Sequence, residues 1–197
     1  MLATMPNSAD LKGFWHEPDG TPTSKALALK EWALAAHEIL AGVASSYQAV
    51  IRHAELADEV QARSAIRTSQ DQRNWINSVL VPVVHMCHRA EEPPLTSLVV
   101  RKHDGQVGES YDEVLTVAGL RTLDDPLARE NHAARARLEC YRWAGSAPAD
   151  GGEPAFAPVL REKIVRARRT AKVDVPVKTC PTCFMAIPST GVCDTCG

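Results

Sequence analysis

Four of the six cysteines fall in the last eighteen residues, as Cys180-Pro181-Thr182-Cys183 and, nine residues later, Cys193-Asp194-Thr195-Cys196. No other feature limits the local fold so tightly. Each CxxC can turn as a knuckle that points two thiolates at one ion. The intervening FMAIPSTGV can form a hairpin, turning at Ser189, Thr190 and Gly191. Four thiolates then meet as a tetrahedron with metal–sulfur distances of about 2.3 Å. Gly191 and Gly197 suit the tight backbone of such knuckles, where positive φ is useful. A piece of roughly twenty residues cannot fold on an apolar core alone, so metal binding supplies most of its folding free energy. Cys180-Pro181-Thr182-Cys183 also has the form of a thioredoxin-type CPxC, but that chemistry needs a βαβ setting. Here a second CxxC follows instead.

This pattern, over about residues 178 to 197, resembles a short zinc ribbon. The resemblance implies one Zn²⁺ held by Cys180, Cys183, Cys193 and Cys196. Four closed ligands leave no open position, so the ion is structural and not catalytic. A ribbon of this kind also offers a surface for a protein partner. Cys87 and Cys140 stand alone. Clustered pairs differ from the spread cysteines of a secreted disulfide scaffold. The N-terminus lacks the cationic start and apolar core of a secretory signal. No apolar run approaches the roughly 18 residues of a membrane span. A reducing, cytoplasmic setting is expected.

The rest of the chain reads as mainly α, with some β. Hydrophobic residues make up 45% and charged residues 23%, an ordinary globular balance. Residues 1–23 mix Pro, Gly, Asn and Ser and read as a loose arm that Phe14 and Trp15 can pin. Residues 24–145 read as one helical domain. Leu27, Trp32, Ala36, Ile39 and Val43 recur at helical spacing behind Ser24, a good N-cap, so a helix is predicted over 25–44. Tyr47, Val50 and Ile51 are β-prone, and His53–Arg63 reads as the second helix. Ser69 and Gln72 offer a capping box for a third, burying Trp75, Ile76, Val79, Leu80, Val83 and Cys87; Pro82 should kink or split it. LTSLVVRK, the turn His103-Asp104-Gly105 and residues 106–110 read as a β-hairpin. Short and long helices follow at 111–118 and 125–143. Residues 146–158 are linker-like, and 159–178 form a basic helical arm.

The order helix, short strand, helix, helix, hairpin is that of a winged helix-turn-helix. In such a body the third helix enters the major groove. Its outer positions carry Gln70, Arg73, Asn74 and Asn77, and Arg pairs with guanine while Asn or Gln pairs with adenine. Arg63 and Arg67 would meet phosphates, and the wing would present Arg101, Lys102 and His103. Element order from Tyr47 through the third helix is also similar to the winged-helix part of alkylguanine alkyltransferase-like proteins. Met86-Cys87-His88-Arg89 matches only the Cys-His-Arg portion of their reactive Pro-Cys-His-Arg motif. Cys87 lies on the inferred apolar face, so the activity does not transfer. His85 and His88 share a face but lack further ligands nearby.

The whole chain carries a formal charge of -2, which excludes a uniformly basic coat. Residues 161–178 nonetheless hold seven cationic and two acidic side chains. Arg166, Arg168, Arg169 and Lys172 there suit phosphate contact, with the salt dependence that follows from counterion release. No nucleophile elbow, phosphate loop, dinucleotide fingerprint or catalytic zinc motif is present. A protein that binds double-stranded DNA is the leading expectation. An interaction adaptor using the ribbon is the second, and an enzyme or subunit acting on nucleic acid the third.

Overall fold

The computed structural model describes residues 11–173, 179–187 and 191–196, and the side chains within them except those of 171–173. The chain divides into two compact units, one up to Leu160 and one from Arg161 onward. The first unit is mainly α with two small two-stranded sheets.

Helix α1 spans Lys25–Ala44, and the Ser24 side chain accepts the Leu27 N–H at its start. Its inner face carries Trp32, Ala36 and Leu40, all fully buried. Both α2 (His53–Ser64) and α3 (Ile76–Arg89) pack on this face. Trp32 and Trp75 meet with ring centroids 4.3 Å apart, and Phe14 lies 5.7 Å from Trp32. Large aromatics supply much of a core's apolar burial. The Trp32 indole N–H is satisfied by the Ile66 carbonyl at 3.2 Å.

Part of the arm read as loose forms a strand. Strand β1 (Phe14–His16) pairs antiparallel with β3 (Ile66–Thr68), Phe14 opposite Thr68 and His16 opposite Ile66. Residues 1–10 lie outside the described residues. This pairing explains a second departure. The predicted helix from residue 69 begins only at Ile76. β3 holds the chain extended to Thr68, and the Ser69 hydroxyl accepts the Gly13 N–H rather than capping a helix. Asp71 then caps a single 3₁₀ turn, Gln72–Asn74. Helices α2 and α3 are therefore separated by a strand and a 3₁₀ turn, not by a tight helix-turn-helix bend. α3 runs unbroken through Pro82. The carbonyl one turn earlier, on exposed Ser78, is the one that loses its partner.

The expected wing hairpin does not form. Leu95–Leu98 is a 3₁₀ turn, and all four residues are buried, so no in–out alternation exists to favour a ladder. Strand β4 (Val99–Val100) pairs parallel with β2 (Ile51–Arg52). Residues 101–106 make a closed turn, with Arg101 N–H to Gln106 O at 2.8 Å and Gly105 N–H to Arg101 O at 2.9 Å. Gly105 sits at φ 71°, and a Cβ there would lie 2.9 Å from the Leu160 nitrogen, so both backbone and space demand glycine.

Helices α4 (Tyr111–Val117) and α5 (Pro126–Trp143) enclose a smaller core of Val84, Val107, Tyr111, Leu115 and Ala133. Asp125 caps α5, with Pro126 at its first position. Glu130 and Arg137 form an ion pair, both essentially without solvent contact. The stretch 146–157 has no helix or strand but is tied to this unit. Ser146 Oγ donates to Ala44 O at 2.6 Å, and Arg142 Nε to Gly151 O at 2.8 Å. Helix α6 (Pro158–Val173) follows, anchored by buried Leu160. No helix among the described residues is long and apolar enough to cross a membrane.

Candidate functional site

The four C-terminal cysteines converge. Their sulfurs all lie within 4.8 Å of one another, with Cys183 and Cys193 at 3.5 Å. A tetrahedron of thiolates about 2.3 Å from a central ion has edges of about 3.8 Å, so the group can hold a metal ion with small adjustments. The first knuckle is closed by Cys180 N–H to Met185 O at 2.8 Å and Phe184 N–H to Cys180 O at 2.9 Å. It places Phe184 at φ 57°, in the left-handed region. Gly191 does take positive φ, 78°. Gly197 lies outside the described residues. Backbone N–H groups of Cys183 and Thr182 aim at the Cys180 sulfur and pull its thiol down to about 6. Thr195 and Cys196 N–H groups lower Cys193 likewise, whereas the Cys183 side chain raises Cys196. Thiolates are the ligating form, and the turns prepare two of them.

A second feature lies wholly in the first unit. A cleft of about 410 Å³ opens between the start of α2, the 3₁₀ turn with the start of α3, and the loop 101–109. Its walls bring together Arg73, Asn77, Arg101 and Lys102, four residues singled out as DNA contacts. Their states differ. Arg101 is held by Asp104 at 2.7 Å and Gln106 at 3.0 Å. Arg73 is 87% exposed and only loosely approached by Asp71 at 4.0 Å. Among the described residues no ion pair or hydrogen bond holds the Lys102 ammonium or the Asn77 amide.

The remaining predicted contacts do not join the cleft. Arg63 pairs with Glu38 at 2.9 Å. Arg67 lays its guanidinium on Glu17 with two bonds of 2.9 and 3.1 Å. Gln70 and Asn74 are exposed beside the 3₁₀ turn, outside the cleft lining. Arg166, Arg168 and Arg169 are exposed on α6; Lys172 lies in its last turn, with a side chain outside those described.

Sequence patterns missed His53 as a wall of the cleft. The parallel β2–β4 pairing sets the first residue of α2 beside Val100, and His53 Nδ1 donates to the Val100 carbonyl at 3.0 Å. A carbonyl only accepts, so the proton of the neutral ring sits on Nδ1 and Nε2 is an acceptor. Burial pushes the His53 pKa below its ordinary value, and Arg101 adds to this; the Val100 bond and Asp104 act against it.

Cys87 is buried, and burial pushes its thiol up, away from nucleophilic use. His37, Cys87 and Glu92 also approach within 4.8 Å, but His37 and Glu92 bond each other at 2.6 Å. His85 pairs with Glu113 at 2.9 Å and His88 is exposed, so these two histidines do not act as a pair. Comparison with protein-family models, curated proteins and solved structures finds no match.

Proposed function

We propose that the protein binds double-stranded DNA, through the cleft of the first unit and the basic face of α6, and carries one structural Zn²⁺ on Cys180, Cys183, Cys193 and Cys196. The observation that carries DNA binding is the meeting of Arg73 and Asn77 with Lys102. Arg73 and Asn77 come from one stretch and Lys102 from a distant loop; the Asn77 amide and Lys102 ammonium stand unengaged, and Arg73 meets Asp71 only at 4.0 Å. A solvated helix face would not gather them. The second unit carries exposed cations of its own, Arg166, Arg168 and Arg169, available to a phosphate backbone. This grip needs no wing. Zinc suits the tetrathiolate because four soft sulfur ligands with closed tetrahedral geometry are its commonest structural set. Reduced cysteines of this kind suit the cytoplasm.

The test is fluorescence anisotropy of the zinc-loaded protein on a labelled duplex over a salt series. Removing one cation from a phosphate lowers the salt slope by about 1. Arg73→Ala with Lys102→Ala should therefore flatten the slope by about 2, and charge reversal of Arg166, Arg168 and Arg169 should flatten it further. If neither set alters duplex binding, DNA is not the ligand of these surfaces.

One observation favours a second function, an adaptor. The metal module exposes Phe184 by 80%, Met185 by 59% and Val192 by 57%. Apolar side chains grouped on so small a unit suit a protein partner. A pull-down abolished by Cys180→Ser with Cys193→Ser, yet kept after nuclease treatment, would put the adaptor first.

A further inference from the structure

We propose that the cleft at His53 is a binding site for one nucleotide unit, a phosphate joined to a base that bears an exocyclic amine. This goes beyond groove binding of a paired duplex and does not depend on it.

The lining has two chemical characters. Arg73 and Lys102 provide cationic donors that no carboxylate holds closely. His53 Nε2, the Asn77 amide and the Glu109 carboxylate provide acceptors. A bare anion would use the first pair and be repelled by Glu109. A ligand carrying both a phosphate and an N–H-rich edge uses the whole set. Adenine and cytosine present exocyclic amines at their pairing edges, and thymine presents carbonyl oxygens there.

The shape agrees. A volume of about 410 Å³ falls within the range of about 300–1,000 Å³ for small-ligand sites. Helices read paired DNA by inserting a convex edge into the major groove, whereas these polar groups line a concavity. No Phe, Tyr or Trp lines it. Stacked single-strand tracts use such aromatics, so this site suits one unit held by its edge.

Gly108 keeps the imidazole open. Its φ is not in the left-handed region, so backbone geometry alone does not demand glycine. A Cβ there would lie 3.1 Å from His53 Nε2 and 3.3 Å from Cε1. That methyl would cover the acceptor. The neutral ring that burial favours keeps Nε2 able to accept.

The experiment titrates the full zinc-loaded chain with deoxyadenosine monophosphate, thymidine monophosphate and inorganic phosphate, by calorimetry and by the ¹⁵N signals of the His53 ring. Saturable binding of the adenosine nucleotide, with a shift at Nε2, is expected. Thymidine monophosphate should bind about tenfold more weakly, the scale of one missing hydrogen bond to a base edge. Gly108→Ala should abolish the Nε2 shift. Lys102→Ala, at an exposed position, should weaken binding of both nucleotides. A second arm compares a paired duplex with one carrying a single unpaired adenosine. Preference of about tenfold for the latter, where unpairing is already done, would place the nucleotide within a strand. Binding of the free nucleotide without that preference would identify a free small molecule as the ligand. Equal binding of inorganic phosphate and nucleotide, unchanged by Gly108→Ala, would overturn the proposal. So would failure of both arms. If the paired duplex still binds then, DNA binding survives and only the nucleotide site falls.

Discussion

Removing the proposed zinc ion from Cys180, Cys183, Cys193 and Cys196 should unfold the module they form. Apparent binding free energies of structural zinc sites run to about 10–16 kcal/mol, and that free energy is folding free energy. Among the described residues of the module, nothing else can replace it. The described residues there have one isolated bridge, Thr179 with Ala186, and their large apolar side chains are exposed. A strong chelator should make the segment rapidly cleavable by protease, and added zinc should restore protection. Cys180→Ser should remove a ligand and the sulfur that the knuckle prepares best. Cobalt substitution should give the intense thiolate absorption of a tetrahedral S₄ site. Unchanged protease resistance after complete metal removal would show that the thiols fold the module by themselves.

The second large effect lies at Glu130. Glu130→Ala should destabilise the first unit by about 3–5 kcal/mol, the cost of leaving a buried charge without its partner. One carboxylate oxygen pairs with Arg137, and the other accepts the Val107 N–H at 3.0 Å. Arg137 in turn donates to Ser97 O at 3.2 Å. Its Nε already lacks a partner. Removing Glu130 therefore strands a guanidinium that is 1% exposed, together with a backbone donor next to Gly108. Such a loss is a large share of the roughly 5–15 kcal/mol that holds a domain folded. Urea denaturation should show a lower midpoint at similar slope. Replacing both partners, Glu130→Leu with Arg137→Met, should recover the part due to the stranded guanidinium, because an apolar pair leaves no buried charge, while the Val107 N–H stays unpaired. A single variant within about 1 kcal/mol of the parent, a typical point-mutant effect, would show that water reaches Arg137.

Helices were legible wherever a local signal sufficed. Ser24 with its apolar stripe marked α1. The thiolate cluster was legible because its four ligands lie within seventeen residues. What depended on distant partners was hidden. Ser69 looked like a cap because nothing nearby shows that Gly13 takes its hydroxyl. LTSLVVRK has β composition, yet Ser97 and Leu98 curl inward, where Arg137 and Cys140 lie. The Glu130–Arg137 pair did leave a trace: opposite charges seven apart on the inward stripe of α5. The cleft left less. Arg73, Asn77 and Lys102 were visible as polar outer positions, but His53 enters only through the β2–β4 pairing.

DNA binding is tested most directly by passing a random duplex library over the zinc-loaded protein at two salt concentrations and sequencing what is retained. Retention at low salt that falls steeply at high salt is the predicted result, since Arg73, Lys102 and the α6 arginines would each release counterion on meeting a phosphate. No retention even at low salt would contradict DNA binding and leave the exposed Phe184, Met185 and Val192 as the surface to explain.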